Sequence, residues 1–217
     1  MTVQSFRHLI ALFVTAVVLS GCASVPSKSL STSDRAALKT IRINPNVELP
    51  KEMFYHGRAQ SFAAVGGIVG AVVADSLDVT KQPAQAIQVT MQKNGVSLPE
   101  IVKAEFQRAA NGQTMTFAEN LEKADGELTL TVQMYGFSQT QGFSALLYPN
   151  LKITASLKGR DGTLAWQESE FITPLNAENT LGHTVEQYVA EPELLRATLT
   201  NAAGIVSRLL VQDMRKQ

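Results

Sequence analysis

Three consecutive segments between residues 127 and 173 alternate apolar and polar side chains with a period of two, and helical periods flank them on both sides. "ELTLTVQMYGFS" sets Leu128, Leu130, Val132 and Met134 against Thr129, Thr131, Gln133 and Tyr135. "NLKITASLKG" repeats the device with Leu151, Ile153, Ala155 and Leu157. After the tight connection "RDG", "TLAWQESEFIT" returns with Leu164 and Trp166 on one face. A strand turns successive side chains to opposite faces, so this pattern predicts half-buried antiparallel strands, the last two forming a hairpin. A shorter strand is expected around "QTMTFA", and a first strand at "LKTIRIN", where Leu38, Ile41 and Ile43 can reach a core. "NPNVELPKEMFYHGRAQ" carries two prolines and a glycine and reads as an irregular crossing segment.

The helical segments carry their own boundary signals. "KQPAQAIQVTMQKNG" brings Ala84, Ile87 and Met91 together at helical spacing and stops at Asn94-Gly95. In "VSLPEIVKAEFQRAANG", Ser97 precedes Glu100 by three residues in a capping-box pattern, with Pro99 in the first turn. Val102, Phe106 and Ala109 then share a face, and Asn111-Gly112 ends the helix. "EPELLRATLTNAAGIVSRLLVQDMRK" has Pro192 in its first turn, acids at its start, Arg215 and Lys216 at its end, and a stripe of Leu195, Leu199, Ala202, Val206 and Leu209. The order of elements predicts an α+β fold: an antiparallel sheet of about four to five strands with helices packed on one face.

The first residues bear on location. Arg7 and His8 precede an apolar run from Leu9 to Leu19, too short to span a bilayer and followed by small residues, as in a secretory signal peptide. Leu19-Ser20-Gly21-Cys22 resembles a bacterial lipobox. That resemblance implies cleavage before Cys22, a diacylglycerol thioether on its sulfur and acylation of the new amino group. Cys22 is the single cysteine of the sequence, and a lone cysteine in an exported chain calls for a special role. Three acyl chains anchor stably where one does not. The expected organisation is a signal peptide over 1–21, the lipidated cysteine and a flexible tether over 22–37 ("ASVPSKSLSTSD" within it), and one periplasmic domain over 38–217. Ala23 and Ser24 follow the cysteine with no aspartate, which by analogy with lipoprotein sorting implies the periplasmic leaflet of the outer membrane.

Composition narrows the remaining choices. Without residues 1–21 the chain has 217 − 21 = 196 residues, enough for one domain with a real core. It carries 18 basic and 19 acidic side chains once Arg7 is removed from the 19 and 19 of the whole sequence. This balance gives no reason to expect nucleic acid as a partner.

"FAAVGGIVGAVVAD", residues 62–75, has no charge before its last residue. Its uncharged run, Ser61 to Ala74, is shorter than the roughly 20 residues a spanning helix needs. It lacks both the dinucleotide spacing and the P-loop lysine. Ala63, Gly67 and Ala71 lie four apart, as do Gly66, Gly70 and Ala74, which suits close packing of helices. The segment is expected either to be buried in its own domain or to dock a partner or membrane through Gly66, Gly67 and Gly70. A second candidate interaction surface is the excursion "FSQTQGFSALLYPN", where Phe143, Leu146, Leu147 and Tyr148 either fold back on the core or receive a partner.

Catalytic and metal chemistry is not signalled. His56 and His183 of the mature chain stand apart from each other and from the cysteine, and no nucleophile elbow occurs. Glu168 and Glu170 share a strand face and read as a solvated sheet surface, while Trp166 and Tyr135 read as packing. Neither a cofactor nor enzymatic activity is expected. "IVKAEFQRA", "ELTLTVQMYGFS", "YPNLKITASLKGRDGTLAWQ" and "HTVEQYVAEPELLRATLTNAA" together resemble a family of uncharacterised bacterial envelope lipoproteins, and the order of elements is similar to the N-terminal domain of TolB. The resemblance implies a non-enzymatic adaptor or assembly component, anchored to the membrane through Cys22 and working with an envelope protein partner. The alternative is a lipid-anchored carrier holding an apolar ligand between sheet and helices. If Cys22 carries the anchor, Cys22→Ala leaves an unprocessed precursor or an unlipidated chain, and the intact mass of the wild-type mature protein shows the lipid.

Overall fold

The computed structural model describes residues 26–57, 82–111, 115–140 and 144–216. In chain order these form helix α1 (Thr32–Ala37), strands β1 (Thr40–Ile43) and β2 (Phe54–His56), and helices α2 (Pro83–Lys93) and α3 (Leu98–Ala110). Strand β3 (Thr116–Phe117), a 3-10 turn (Leu121–Lys123) and strands β4 (Gly126–Ser138), β5 (Tyr148–Gly159) and β6 (Leu164–Ile172) follow. Helices α4 (Val185–Ala190) and α5 (Pro192–Met214) close the chain. The fold is mixed α+β.

Among the described residues six strands, not four to five, form one sheet in the order β3-β1-β4-β5-β6, with β2 paired to β4 beyond β1. The meander β4–β5–β6 is antiparallel, as the alternating segments predict. β1 and β2, however, run parallel to β4. Two helices separate them from β4 in the sequence, and a crossover of that kind returns the chain in the same direction.

The segment read as an irregular crossing in fact follows β4 along its length. Ile41 lies opposite Gly126, Glu48 bridges Thr131 and Phe54 lies opposite Gly136. The chain thus advances 54 − 41 = 13 residues where β4 advances 136 − 126 = 10. Pro45 and Pro50 fall in this stretch, where the missing N–H of proline cannot complete a ladder.

Two bulges correct the facing read from periodicity. Val132 pairs with Ile153 but Met134 pairs with Lys152, so Gln133 is an extra residue. One extra residue reverses the phase of a strand. Tyr135 and Phe137 are therefore buried and Met134 turns to the other face. In β6, Trp166 pairs with Leu157 and Leu164 with Lys158, leaving Ala165 unpaired. Leu164 consequently departs from the face of Trp166.

The inner face collects Leu128, Leu130, Val132, Ile153, Ala155, Leu157 and Trp166, all but inaccessible. α5 lies against β5 and β6 and packs along α3. Its buried stripe runs through Leu195, Leu199, Ala202, Val206 and Leu210, with Leu209 at the margin. Ser97 caps α3 by accepting the N–H of Glu100 at 3.4 Å. Among the described residues, α5 alone has the length and apolarity to cross a bilayer, and 56% of its most apolar window is buried in the domain.

Ordered structure begins earlier than residue 38. Lys28 and Gln167 exchange both backbone hydrogen bonds, at 2.8 and 2.9 Å, on the free edge of β6. Leu30 and Leu38 enter the core on either side of α1. The span expected as tether is therefore attached to the domain from residue 26 or soon after, because leucines and backbone donors within it find partners there.

Gly136 sits at φ +152°, and a Cβ there would lie 1.8 Å from the carbonyl oxygen of Phe54. Its absence of a side chain is what lets β2 approach β4. Gly136→Ala is expected to dislodge β2. Leu130→Ala is expected to cost about 2–5 kcal/mol in chemical denaturation, and Thr131→Ala, on the opposite face, far less.

Candidate functional site

Among the described residues a groove of about 590 Å³ lies between α3 and α5. Its walls follow from helical spacing. On α5, Asn201, Gly204, Arg208, Val211 and Arg215 recur at three- and four-residue steps, a second face beside the core stripe. α3 contributes Glu105, Arg108 and Ala109 from its last turns. Ile205 and Val211, both largely buried, give the groove an apolar floor.

Glu105 is a buried carboxylate in a helix interface, 6% exposed. Burial of that charge requires a partner, and Arg108 one turn further supplies it through Nη1. Gly204 makes the contact close: a Cβ there would lie 3.3 Å from Glu105 Oε2. A glycine within a helix costs about 1 kcal/mol relative to alanine, so its presence in α5 follows the approach of α3.

Two more guanidinium groups occupy the groove. Arg208 pairs with Glu178, both substantially exposed, at 47% and 60% of their side chains. Exposed pairs of this kind contribute roughly 0–1 kcal/mol, so a competing carboxylate can replace Glu178 at little cost. Arg215 is exposed and has no side-chain partner among the described residues. Three arginines stand against two carboxylates, Glu105 and Glu178, which leaves the groove one positive charge in excess.

Of the interaction residues singled out from sequence, Leu146, Leu147 and Tyr148 are among the described residues. Cys22, Gly66, Gly67, Gly70 and Phe143 lie outside the described residues. Leu146 is on the surface, at 37% exposure. Leu147 is buried, bridges His183 through both backbone hydrogen bonds, and its carbonyl accepts the Tyr188 hydroxyl at 2.9 Å. Leu147 is thus a core residue and unavailable as a docking contact in this structure. Tyr148 begins β5 and is half-buried. Burial raises the Tyr188 hydroxyl pKa well above its ordinary value, which keeps it a neutral donor. Trp166 and Tyr135 are buried, as packing residues.

Glu168 and Glu170 also differ from expectation. They pair with Ala155 and Ile153 and so face the helix layer, not open solvent. Both are half-buried near the end of α5, where Asp213 accepts the Trp166 indole N–H at 3.2 Å and Lys216 at 2.9 Å. Desolvation first, then Glu168 and Asp213, raises the Glu170 pKa, with Lys216 opposing. Among the described residues no group of three or more His, Cys, Asp or Glu side chains is arranged to hold a metal.

The arginine groove escaped sequence reading because its residues come from segments about a hundred positions apart. One signal was present: Thr200, Asn201, Gly204, Arg208, Gln212 and Arg215 form a polar stripe in an otherwise apolar helix.

No family model matches the sequence, and no curated protein matches it. Several solved structures are similar. The PelC dodecamer from Paraburkholderia phytofirmans aligns at 9% identity and a TM-score of 0.37, covering 89% of this chain and 98% of that one. Protein XCC0632 from Xanthomonas campestris, described as DUF330, aligns at 12% identity and a TM-score of 0.44 over 87% and 89% of the two chains. Lipoprotein GNA1162 from Neisseria meningitidis aligns at 17% identity and a TM-score of 0.26 over 73% and 98%. Likeness at this level assigns neither activity nor site.

The Glu170 shift predicts a pH effect. A carboxyl whose folded pKa is raised destabilises the fold above that pKa, and the penalty disappears as pH falls below the unfolded value near 4.3. Glu170→Gln should therefore raise the melting temperature at pH 7, with a gain that shrinks on acidification through this window.

Proposed function

We propose that the protein is an envelope lipoprotein that acts as a non-enzymatic adaptor, anchored through Cys22 to the periplasmic leaflet of the outer membrane, and that the α3–α5 groove receives its partner. The lipobox-like Leu19-Ser20-Gly21-Cys22 supports the anchor. The observation that carries the adaptor reading is the groove itself, with an apolar floor and guanidinium groups that need little or no release to engage a new carboxylate.

The spacing defines the partner's chemistry. Arg208 and Arg215 are seven residues apart on one helix, so they stand about 10 Å apart along its axis. A complementary segment presents two carboxylates at that separation, with an apolar side chain between them for Val211. Seven residues of helix or three of extended chain provide it. Glu105 keeps Arg108 occupied, because releasing that arginine would strand a buried charge. Recognition therefore falls to the other two arginines.

A photo-crosslinking side chain at Gln212 tests this in intact cells. Discrete adducts are expected at Gln212 and not at Thr131 on the opposite sheet face. Arg208→Glu with Arg215→Glu should abolish them while the domain keeps a single cooperative unfolding transition, at a small cost in melting temperature from the lost Glu178 pair and helix-end charge. Adducts that survive both charge reversals would remove the groove from the mechanism. Saturable uptake of a fatty-acid probe that the reversals leave unchanged would favour the carrier instead.

A further inference from the structure

The N-terminal residues of the described domain fix where an anchored chain can leave it. Besides the two backbone bonds between Lys28 and Gln167, the Gln167 amide donates to the Pro26 carbonyl at 2.8 Å, and Lys28 Nζ donates to the Leu164 carbonyl. Further along, Leu30 and Leu38 are buried and Arg35 donates to the Lys216 carbonyl at 3.1 Å, at the end of α5. From the free edge of β6 the chain therefore crosses the end of the sheet to β1 as an attached strap.

Pairing on β6 also has a defined limit. Continued antiparallel register would place Pro26 opposite Ser169. Proline has no N–H to donate, and the Ser169 N–H is already accepted by Glu168 Oε1 at 2.8 Å. Among the described residues the ladder stops at Lys28, and none of them pairs with the edge beyond it. Ser169 and Phe171 lie two and four residues past Gln167 with no further bulge, so their backbone groups point the same way, away from β5. Phe171 is 45% exposed there and Leu175, just past the strand, 87%.

Only four residue steps separate Pro26 from Cys22. A fully extended chain covers at most about 14 Å in that distance, against about 50 Å had the free tether run to residue 37. Resting on the anchor reading above, we infer that the strap makes the free edge of β6 the membrane-facing edge of the domain. It holds Phe171 and Leu175 toward the phospholipid headgroups that surround the anchor. The opposite edge, β3, lies four strand spacings away, about 19 Å.

The full lipidated protein in vesicles of phosphatidylethanolamine and phosphatidylglycerol provides the test. With the Cys22 sulfur consumed by lipid, Phe171→Cys or Thr116→Cys gives a single labelling site on β6 or β3. A bimane label is read against a nitroxide carried on the lipid headgroup, and flotation of the same sample reports the anchor. The expected result is flotation with several-fold stronger quenching at residue 171 than at residue 116. Lys28→Pro, which removes the N–H that the Gln167 carbonyl accepts, should lower quenching at 171 without loss of flotation. Failure to float would overturn the anchor and this inference together. Flotation with equal quenching at the two sites, or quenching at 171 unchanged by Lys28→Pro, would overturn the orientation alone.

Discussion

Every other strand of the sheet depends on the backbone of β4. It pairs with β1 and β2 along one edge and with β5 along the other, so its thirteen residues, Gly126–Ser138, hold hydrogen bonds on both sides. A buried strand cannot leave such groups unsatisfied. Two features make β4 irregular, one serving the side-chain core and the other this backbone requirement. The bulge at Gln133 lets Tyr135 and Phe137 reach the core where α2 and α4 close over the sheet, with Gln88 donating to the Tyr135 hydroxyl and Tyr188 stacked obliquely on Phe137. Gly136 then admits the Phe54 backbone, so the last part of β4 gains a parallel neighbour that any side chain would push away.

How much of this was legible follows from the same strand. The alternation of Leu128, Leu130 and Val132, and of Leu151, Ile153, Ala155 and Leu157, identified the inner face correctly because period two is a direct consequence of the pleat. It failed from Gln133 onward because a bulge adds one residue without any change in composition. Parallel pairing of β1 and β2 was hidden for a different reason. Their direction is set by the helical crossover that follows, and local alternation carries no record of direction. The helix cap at Ser97 shows the opposite case, where the chemistry of four consecutive residues suffices.

α5 shows why the groove could not be read from one segment. Its core stripe was evident, since Leu195, Leu199, Ala202 and Val206 recur at helical spacing. The groove face needed α3 beside it to acquire meaning, because Gly204 and Glu105 explain one another only in contact. Alone, Gly204 reads as a weak point in a helix and Glu105 as one more surface acid. Packed together they form a close helix contact with a satisfied buried charge, and the arginines are left along its open side.

The C-terminal end of α5 ties the groove to the strap. Arg215 lines the groove, and the carbonyl of the next residue, Lys216, accepts Arg35 from α1. A guanidinium at that position also suits the negative end of the helix. The same turn carries Asp213, which holds Trp166 of β6, so helix end, strap and sheet edge meet within four residues. A load applied at the N-terminus passes first into Lys28 and β6, and through Arg35 into α5, before it reaches the central strand β4. The groove and the N-terminal strap are therefore parts of one packed unit. Rotation between them would require breaking contacts of the core helix itself, so the orientation of the groove is coupled to the point where the chain leaves the domain.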